Sequence, residues 1–155
     1  MNLQEYIPHE IILALQKQFA CSDSFDYQQL VIETESKEYH ACRFYLKKHL
    51  IVFRKAKITP TKIGQFVTLY KRNSDKKIAP FTISDAIDYV VIWVSNEFQE
   101  GYFKFSKSIL VEKGIFSTAN REGKRAFRIY PPWDIAKNKQ AVSSQKWQLN
   151  YFFEI

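Results

Sequence analysis

The sequence predicts a mixed α/β domain in which helices flank a central mixed β-sheet. Three observations carry this. Apolar residues recur at helical spacing around residues 7–19 and 61–72. Segments with period-two alternation lie between and after them. One run, Asp88–Val94 (DYVVIWV), is apolar and β-rich after its leading aspartate, which suits a central strand buried on both faces. With 155 residues, 46% hydrophobic content and only four glycines and five prolines, the chain reads as one domain, 1–155, with no flexible linker.

Ile11, Ile12, Leu15 and Phe19 follow helical spacing, and Pro8 suits a first turn, so a helix is expected over 7–19. ACSDSFDY (20–27) reads as a loop. A short strand is expected over 30–33. Residues 39–46 alternate, with Tyr39, Ala41, Arg43 and Tyr45 on one face and His40, Cys42, Phe44 and Leu46 on the other. A KKH turn then leads to a second hairpin arm over 50–58. Thr59 reads as an N-cap and Pro60 as a first helical residue. Ile63, Phe66, Val67 and Tyr70 would line the buried face of the helix that follows. After an NSDKKIAPF loop come strands at 88–94 and 102–105, joined by an NEFQEG turn. SKSILVEKG reads as a short helix with Ser106 as N-cap and Gly114 just past its end. An NREGKR turn, a strand over 126–130, a PPWD break and a last helix over 138–153 complete the chain. Val142, Leu149, Phe152 and Phe153 are that helix's apolar positions.

Several function classes find no support. Cys21 and Cys42 show no CxxC spacing, so they read as reduced, mostly buried thiols of a cytoplasmic protein. The first residues lack the basic-then-apolar pattern of a signal peptide, and no segment approaches a membrane span. His9, His40 and His49 sit in unrelated contexts, and neither GxSxG, GxxxxGK[ST] nor GxGxxG occurs.

Charge is the most informative feature. Between Lys47 and Lys77 there are ten Lys or Arg against one acid, Asp75, a local charge of +9 in a chain of net +7. The first 46 residues carry −4. A concentration of this kind points to a nucleic-acid or nucleotide partner. On the strand over 50–58, Lys55 and Lys57 share one face and Arg54 and Ala56 the other. Against the polar side of the expected helix 61–72, Lys55, Lys57, Lys62 and Gln65 would converge, neutralising phosphate while the amide orients it. Arg54 is counted with the same group. The same residue types would also be at home on a plainly solvated face. A second basic group, Arg121, Lys124, Arg125 and Arg128, lies near Tyr130, Trp133 and Lys139. Arginine beside aromatics is the composition of a surface where rings stack on bases. Trp133, on a stiff Pro-Pro turn, is the expected stacking platform, though an ordinary packed Trp is the alternative, and Trp147 and Gln148 read either way.

The motifs FRKAKITPTKIGQFVTLYKR, APF, DYVVIWV, GYFKFSK, EGKRAFRIYPPWD and NKQAVSSQKWQ together resemble the MepB family of small bacterial proteins, from about Tyr39 to the C-terminus. The resemblance implies a restriction-endonuclease-like fold and a nucleic-acid-related role. In active members of that wider superfamily, an acid on the second strand and a (D/E)xK on the third hold Mg²⁺. Lys57 matches that lysine, but Lys55 stands where the carboxylate belongs, and the nearest acid on the preceding strand is Glu38. The expectation is therefore a nucleic-acid or nucleotide-binding protein on a nuclease scaffold without its metal site and without a cofactor. The alternatives are a Mg²⁺-dependent nuclease with a relocated acid (Glu33, Glu35, Glu38 or Asp88) and a regulatory module whose basic face meets an acidic protein.

Overall fold

The computed structural model describes residues 25–46 and 48–155. The helix expected over 7–19, with His9 and Cys21, lies outside them. The main body is a six-stranded sheet in the order β1 (Phe25–Ile32), β2 (Cys42–Leu46), β3 (His49–Lys55), β8 (Tyr89–Ser95), β9 (Glu100–Ser106) and β11 (Phe152–Glu154). All its neighbours are antiparallel except β3 and β8, which makes the sheet mixed. A three-stranded antiparallel sheet, β10 (Ala126–Ile129), β5 (Gln65–Thr68) and β4 (Lys57–Ile58), lies apart from it. β6 (Lys71–Arg72) and β7 (Ile78–Ala79) form a small hairpin.

Alternation built the first hairpin as expected. Cys42, Phe44 and Leu46 are buried, whereas Tyr45 is exposed, and Lys48 takes a left-handed φ of 68° in the turn. β1 is longer than the strand expected at 30–33, beginning at Phe25 within the expected loop. Tyr39 falls in a single 3₁₀ turn, Lys37–Tyr39, outside β2.

β8 is central, with Val90 to Val94 all buried between β3 and β9. Its alternation divides the core. Val90, Ile92 and Val94 face a large cluster with Val52, Phe103 and Phe105 of the main sheet, Val67, Leu69, Phe127 and Ile129 of the small sheet side, and Leu110. Val91 and Trp93 face a second cluster with Ile51, Phe53, Cys42 and Phe44. Each such Val, Ile or Phe contributes about 1.5–3 kcal/mol by leaving water.

The short helix α1 (Lys107–Glu112) is capped as expected. The Ser106 hydroxyl accepts from the Ile109 N–H, and Gly114 follows at φ 72°. The last helix, α2 (Lys139–Gln148), is shorter than expected and is N-capped by Asn138. A 3₁₀ turn, Leu149–Tyr151, ends it, and Phe152–Glu154 leaves as β11 to pair with the otherwise open edge of β9. Its buried positions are Ala141 and Gln148, whereas Val142 is 49% exposed. Leu110 of α1 joins the large cluster and Trp147 of α2 packs against it, so both helices meet the same core as the small sheet.

The largest correction falls on residues 61–72, which are not helical. Gly64 adopts φ +83°, a value that breaks a right-handed helix. Beyond it Gln65, Val67 and Leu69 are buried while Phe66, Thr68 and Tyr70 are only partly so, a period of two. The connection between the parallel strands β3 and β8 therefore consists of small sheets and loops rather than the expected flanking helix. Thr59 is no N-cap. The second arm of the hairpin also divides: at Ala56, whose N–H donates to the Trp93 carbonyl at 2.9 Å, the chain leaves the main sheet and continues as β4 in the small one.

Candidate functional site

The tip between β4 and β5, residues 59–64, is held from the opposite strand of the small sheet. Arg128 donates from Nε to the Ile63 carbonyl at 3.1 Å. Its Nη2 donates to the carbonyls of Gly64 at 3.1 Å and Lys62 at 3.4 Å, and to the Thr59 hydroxyl. A guanidinium presents several donors in a fixed plane, and here one group sets four acceptors of a single turn. Asp134 sits beside the same turn. Burial pushes its carboxyl up from the ordinary range, opposed by the Gly64 N–H and by the charge of Arg128. The exposed Lys62 side chain thus stands on a braced loop.

Registers place Lys57, Phe66 and Arg128 in one row across the small sheet. Lys57 is already engaged, since its ammonium lies 2.6 Å from Glu38 and 5.0 Å from the centre of the Tyr39 ring. The hydrogen bond from Lys57 holds the Glu38 carboxyl below its ordinary range. Because β5 is a strand, Gln65 faces the other way. It is 2% exposed and donates to the Ser95 carbonyl at 3.1 Å. The expected convergence of Lys55, Lys57, Lys62 and Gln65 therefore does not form, and Gln65 instead ties the small sheet to the end of β8. Lys55 is part-buried beside Trp93, its partner in register on β8.

Arg54 is fully buried, not at a surface. Its guanidinium donates to Glu33 at 2.8 Å and to the Phe53 carbonyl at 2.9 Å. Arg125 pairs with Glu122 at 2.9 Å and reaches the Ile78 carbonyl. Trp133 packs against the large core, edge-on to Phe152 at 6.0 Å, and so is not a free platform.

The acids considered for a metal site are separated into individual partnerships. Glu33 takes Arg43 and Arg54, Glu35 takes Arg72 and the Tyr70 hydroxyl, Glu38 takes Lys57, and Asp88 accepts from the Leu50 N–H. Among the described residues no three His, Cys, Asp or Glu side chains gather to hold a metal ion, and no helix is long and apolar enough to cross a membrane.

The second basic group has a definite shape. Between β10 and α2 lies a cavity of about 280 Å³ lined by Lys113, Lys124, Arg128, Tyr130, Gln140, Ser144, Trp147 and their neighbours, with no carboxylate among the lining residues. The Lys113 ammonium lies 5.5 Å from the centre of the Trp147 ring and 4.0 Å from Glu112. Lys124 is exposed and makes no ion pair among the described residues. Gln148 closes one end. It is 1% exposed, its Nε2 donates to the Arg128 carbonyl at 3.1 Å, and its Oε1 accepts from the Tyr130 N–H at 2.8 Å. Such a lining can neutralise an anion and hydrogen-bond its polar substituents. The sequence reading missed Lys113, Gln140 and Ser144. A signal existed, since Gln140, Ser144, Trp147 and Gln148 follow Asn138 at the spacing of one helical face.

Comparison with known proteins bears on the whole chain. A family model described as MepB-like matches residues 33–154. A solved structure described as "Crystal Structure of MepB" is similar, at 38% identity and a TM-score of 0.82, covering 96% of this chain and 97% of that one. No curated protein matches.

Proposed function

The chain belongs to the MepB-like family, and from that premise we propose that it binds nucleic acid or a nucleotide along the basic outer side of its small sheet. The observation that carries this reading is the cavity beside β10, where three cations, Lys113, Lys124 and Arg128, share a lining free of carboxylates. Several cations elsewhere answer to acids, as Lys57, Lys71, Arg72 and Arg125 do. Lys62, on the loop that Arg128 braces, extends the positive strip beyond the sheet. Trp147 and Tyr130 supply rings along it, and rings beside cations suit an unpaired strand. Lys55 and Lys57 are peripheral here, and Arg54, Arg125 and Trp133 serve the fold.

Fluorescence anisotropy with labelled single-stranded and duplex oligonucleotides tests this. With Lys62, Lys113 and Lys124 each neutralising one phosphate, affinity should fall about 20- to 40-fold between about 50 and 200 mM salt. Lys62→Ala and Lys124→Ala should each reduce the log–log slope by about 1. An affinity indifferent to salt, or a slope untouched by both substitutions, refutes the reading.

A further inference from the structure

The outer edge of β10 carries a second, open copy of the hydrogen-bonding pair that Gln148 fills. Phe127 and Ile129 stand opposite Val67 and Gln65 of β5, and the Leu69 N–H donates to the Arg125 carbonyl. Residues 125, 127 and 129 therefore direct their backbone groups at β5, and Ala126 and Arg128 direct theirs outward. On that outward edge the amide of Gln148 donates to the carbonyl of Arg128 and accepts from the N–H of Tyr130. One step back along the strand, the carbonyl of Ala126 and the N–H of Arg128 present the same acceptor and donor at the same spacing. Neither has a partner among the described residues, and both Ala126 and Arg128 line the cavity that holds Lys113 and Lys124.

We propose that this cavity is a nucleobase pocket: a base whose edge carries an N–H donor beside an acceptor pairs with the Ala126 carbonyl and the Arg128 N–H, and its phosphate rests on Lys113 and Lys124. The inference rests on the nucleic-acid reading above and makes it specific, since the reader of the base is main chain rather than side chain. Uracil and guanine each offer the required adjacent donor and acceptor, as the amide of Gln148 does. An extended peptide would also satisfy a strand edge, but Gln148 and α2 close this one after a single pair of groups. The lining cations also favour a phosphate-bearing ligand. At about 280 Å³ the cavity takes one nucleotide rather than several.

The test is an amide-resolved NMR titration of the full chain with uridine 5′-monophosphate. The same titration is run with its N3-methyl derivative, which lacks the donor, with inorganic phosphate, and with a short uncharged peptide. The nucleotide should shift the Arg128 amide proton downfield, and the N3-methyl derivative should bind at least tenfold more weakly. Phosphate should perturb the neighbourhood of Lys113 and Lys124 without moving the Arg128 amide. Lys124→Ala should weaken both nucleotides while keeping their ratio, which separates phosphate holding from base reading. Equal binding of the methylated nucleotide overturns the proposal, as does phosphate binding as strongly as the nucleotide, or a stronger response to the peptide. If the pocket stays silent while oligonucleotides still bind with a steep salt slope, the base pocket fails and the nucleic-acid reading survives. If the nucleotide binds as described while oligonucleotides do not, the pocket stands and the broader reading fails.

Discussion

Replacing Glu33 by Gln removes the one acid that, among the described residues, pairs with a guanidinium that has no access to solvent. Arg54 is 0% exposed, and it reaches Glu33 at 2.8 Å from Nη2 while its Nε has no partner among the described residues. The Glu33 carboxylate is 12% exposed and also receives Arg43 at 3.1 Å. A buried pair broken from one side leaves an uncompensated charge, a loss of about 3–5 kcal/mol. For a domain of this size that lowers Tm by roughly 6–20 °C, at about 2–4 °C per kcal/mol. The urea midpoint should fall by about 2 M with the slope unchanged. The double substitution Glu33→Leu, Arg54→Met removes both charges together and should recover most of the loss, because well-packed apolar replacements of a buried pair are often neutral. Equilibrium urea unfolding of the two variants beside the unsubstituted protein decides it. A cost below about 1 kcal/mol for Glu33→Gln, or a double variant as unstable as the single one, refutes the reasoning. Arg54→Met should also leave the salt slope of oligonucleotide binding untouched. A reduced slope would return Arg54 to the ligand contacts that its sequence position suggested.

Further outcomes follow from single residues. Glu38 should titrate below its ordinary 4.5 because Lys57 hydrogen-bonds its ionised form. Its contribution to stability is present above the unfolded value and lost as pH falls through the lower folded one, and Lys57→Ala should return it to the ordinary range in an NMR titration. Gly64→Ala should destabilise by about 1–3 kcal/mol in thermal or urea unfolding, because φ is +83° and a Cβ there would lie 2.6 Å from the Tyr130 ring. Burial pushes the Cys42 thiol up to about 12, so at pH 8 it should resist alkylation until the protein is denatured, as peptide mass mapping would report.

What the sequence disclosed depended on how many physical demands fell on one residue. In Cys42–Leu46 and Asp88–Val94 a single demand, which face is buried, decided the pattern, and period-two reasoning recovered it. Ser106 and Gly114 marked the ends of α1 because a hydroxyl acceptor and a left-handed φ are local requirements. Residues 61–72 satisfied two periods at once. Ile63, Phe66, Val67 and Tyr70 fit a helix, while Gln65, Val67 and Leu69 fit a strand whose buried face includes an amide. Gly64, placed where a helix would need its second turn, was the residue that distinguished them. At the candidate site the positive charge of the second basic group was legible, but its allocation was not. Nothing in the spelling of Arg54 or Arg125 announces that one answers to Glu33 and the other to Glu122. Nor does the Pro-Pro turn before Trp133 reveal that its ring packs on Phe152 while Trp147 takes the cavity. Those are long-range partnerships, fixed only when the strands are assembled.

The bracing of residues 59–64 by Arg128 also sets an order of events. The bonds from Arg128 that fix this turn span 64 to 69 positions, so beyond the short β4–β5 pairing at its base the tip takes its bracing from a distant strand. During synthesis it emerges well before β10 does, and it waits through the making of β8, β9 and α1. Closing so long a loop is slow relative to forming the β2–β3 hairpin. The small sheet should accordingly be a late structure, completed when β10 docks, and an unfinished chain would expose the basic tip without its final form.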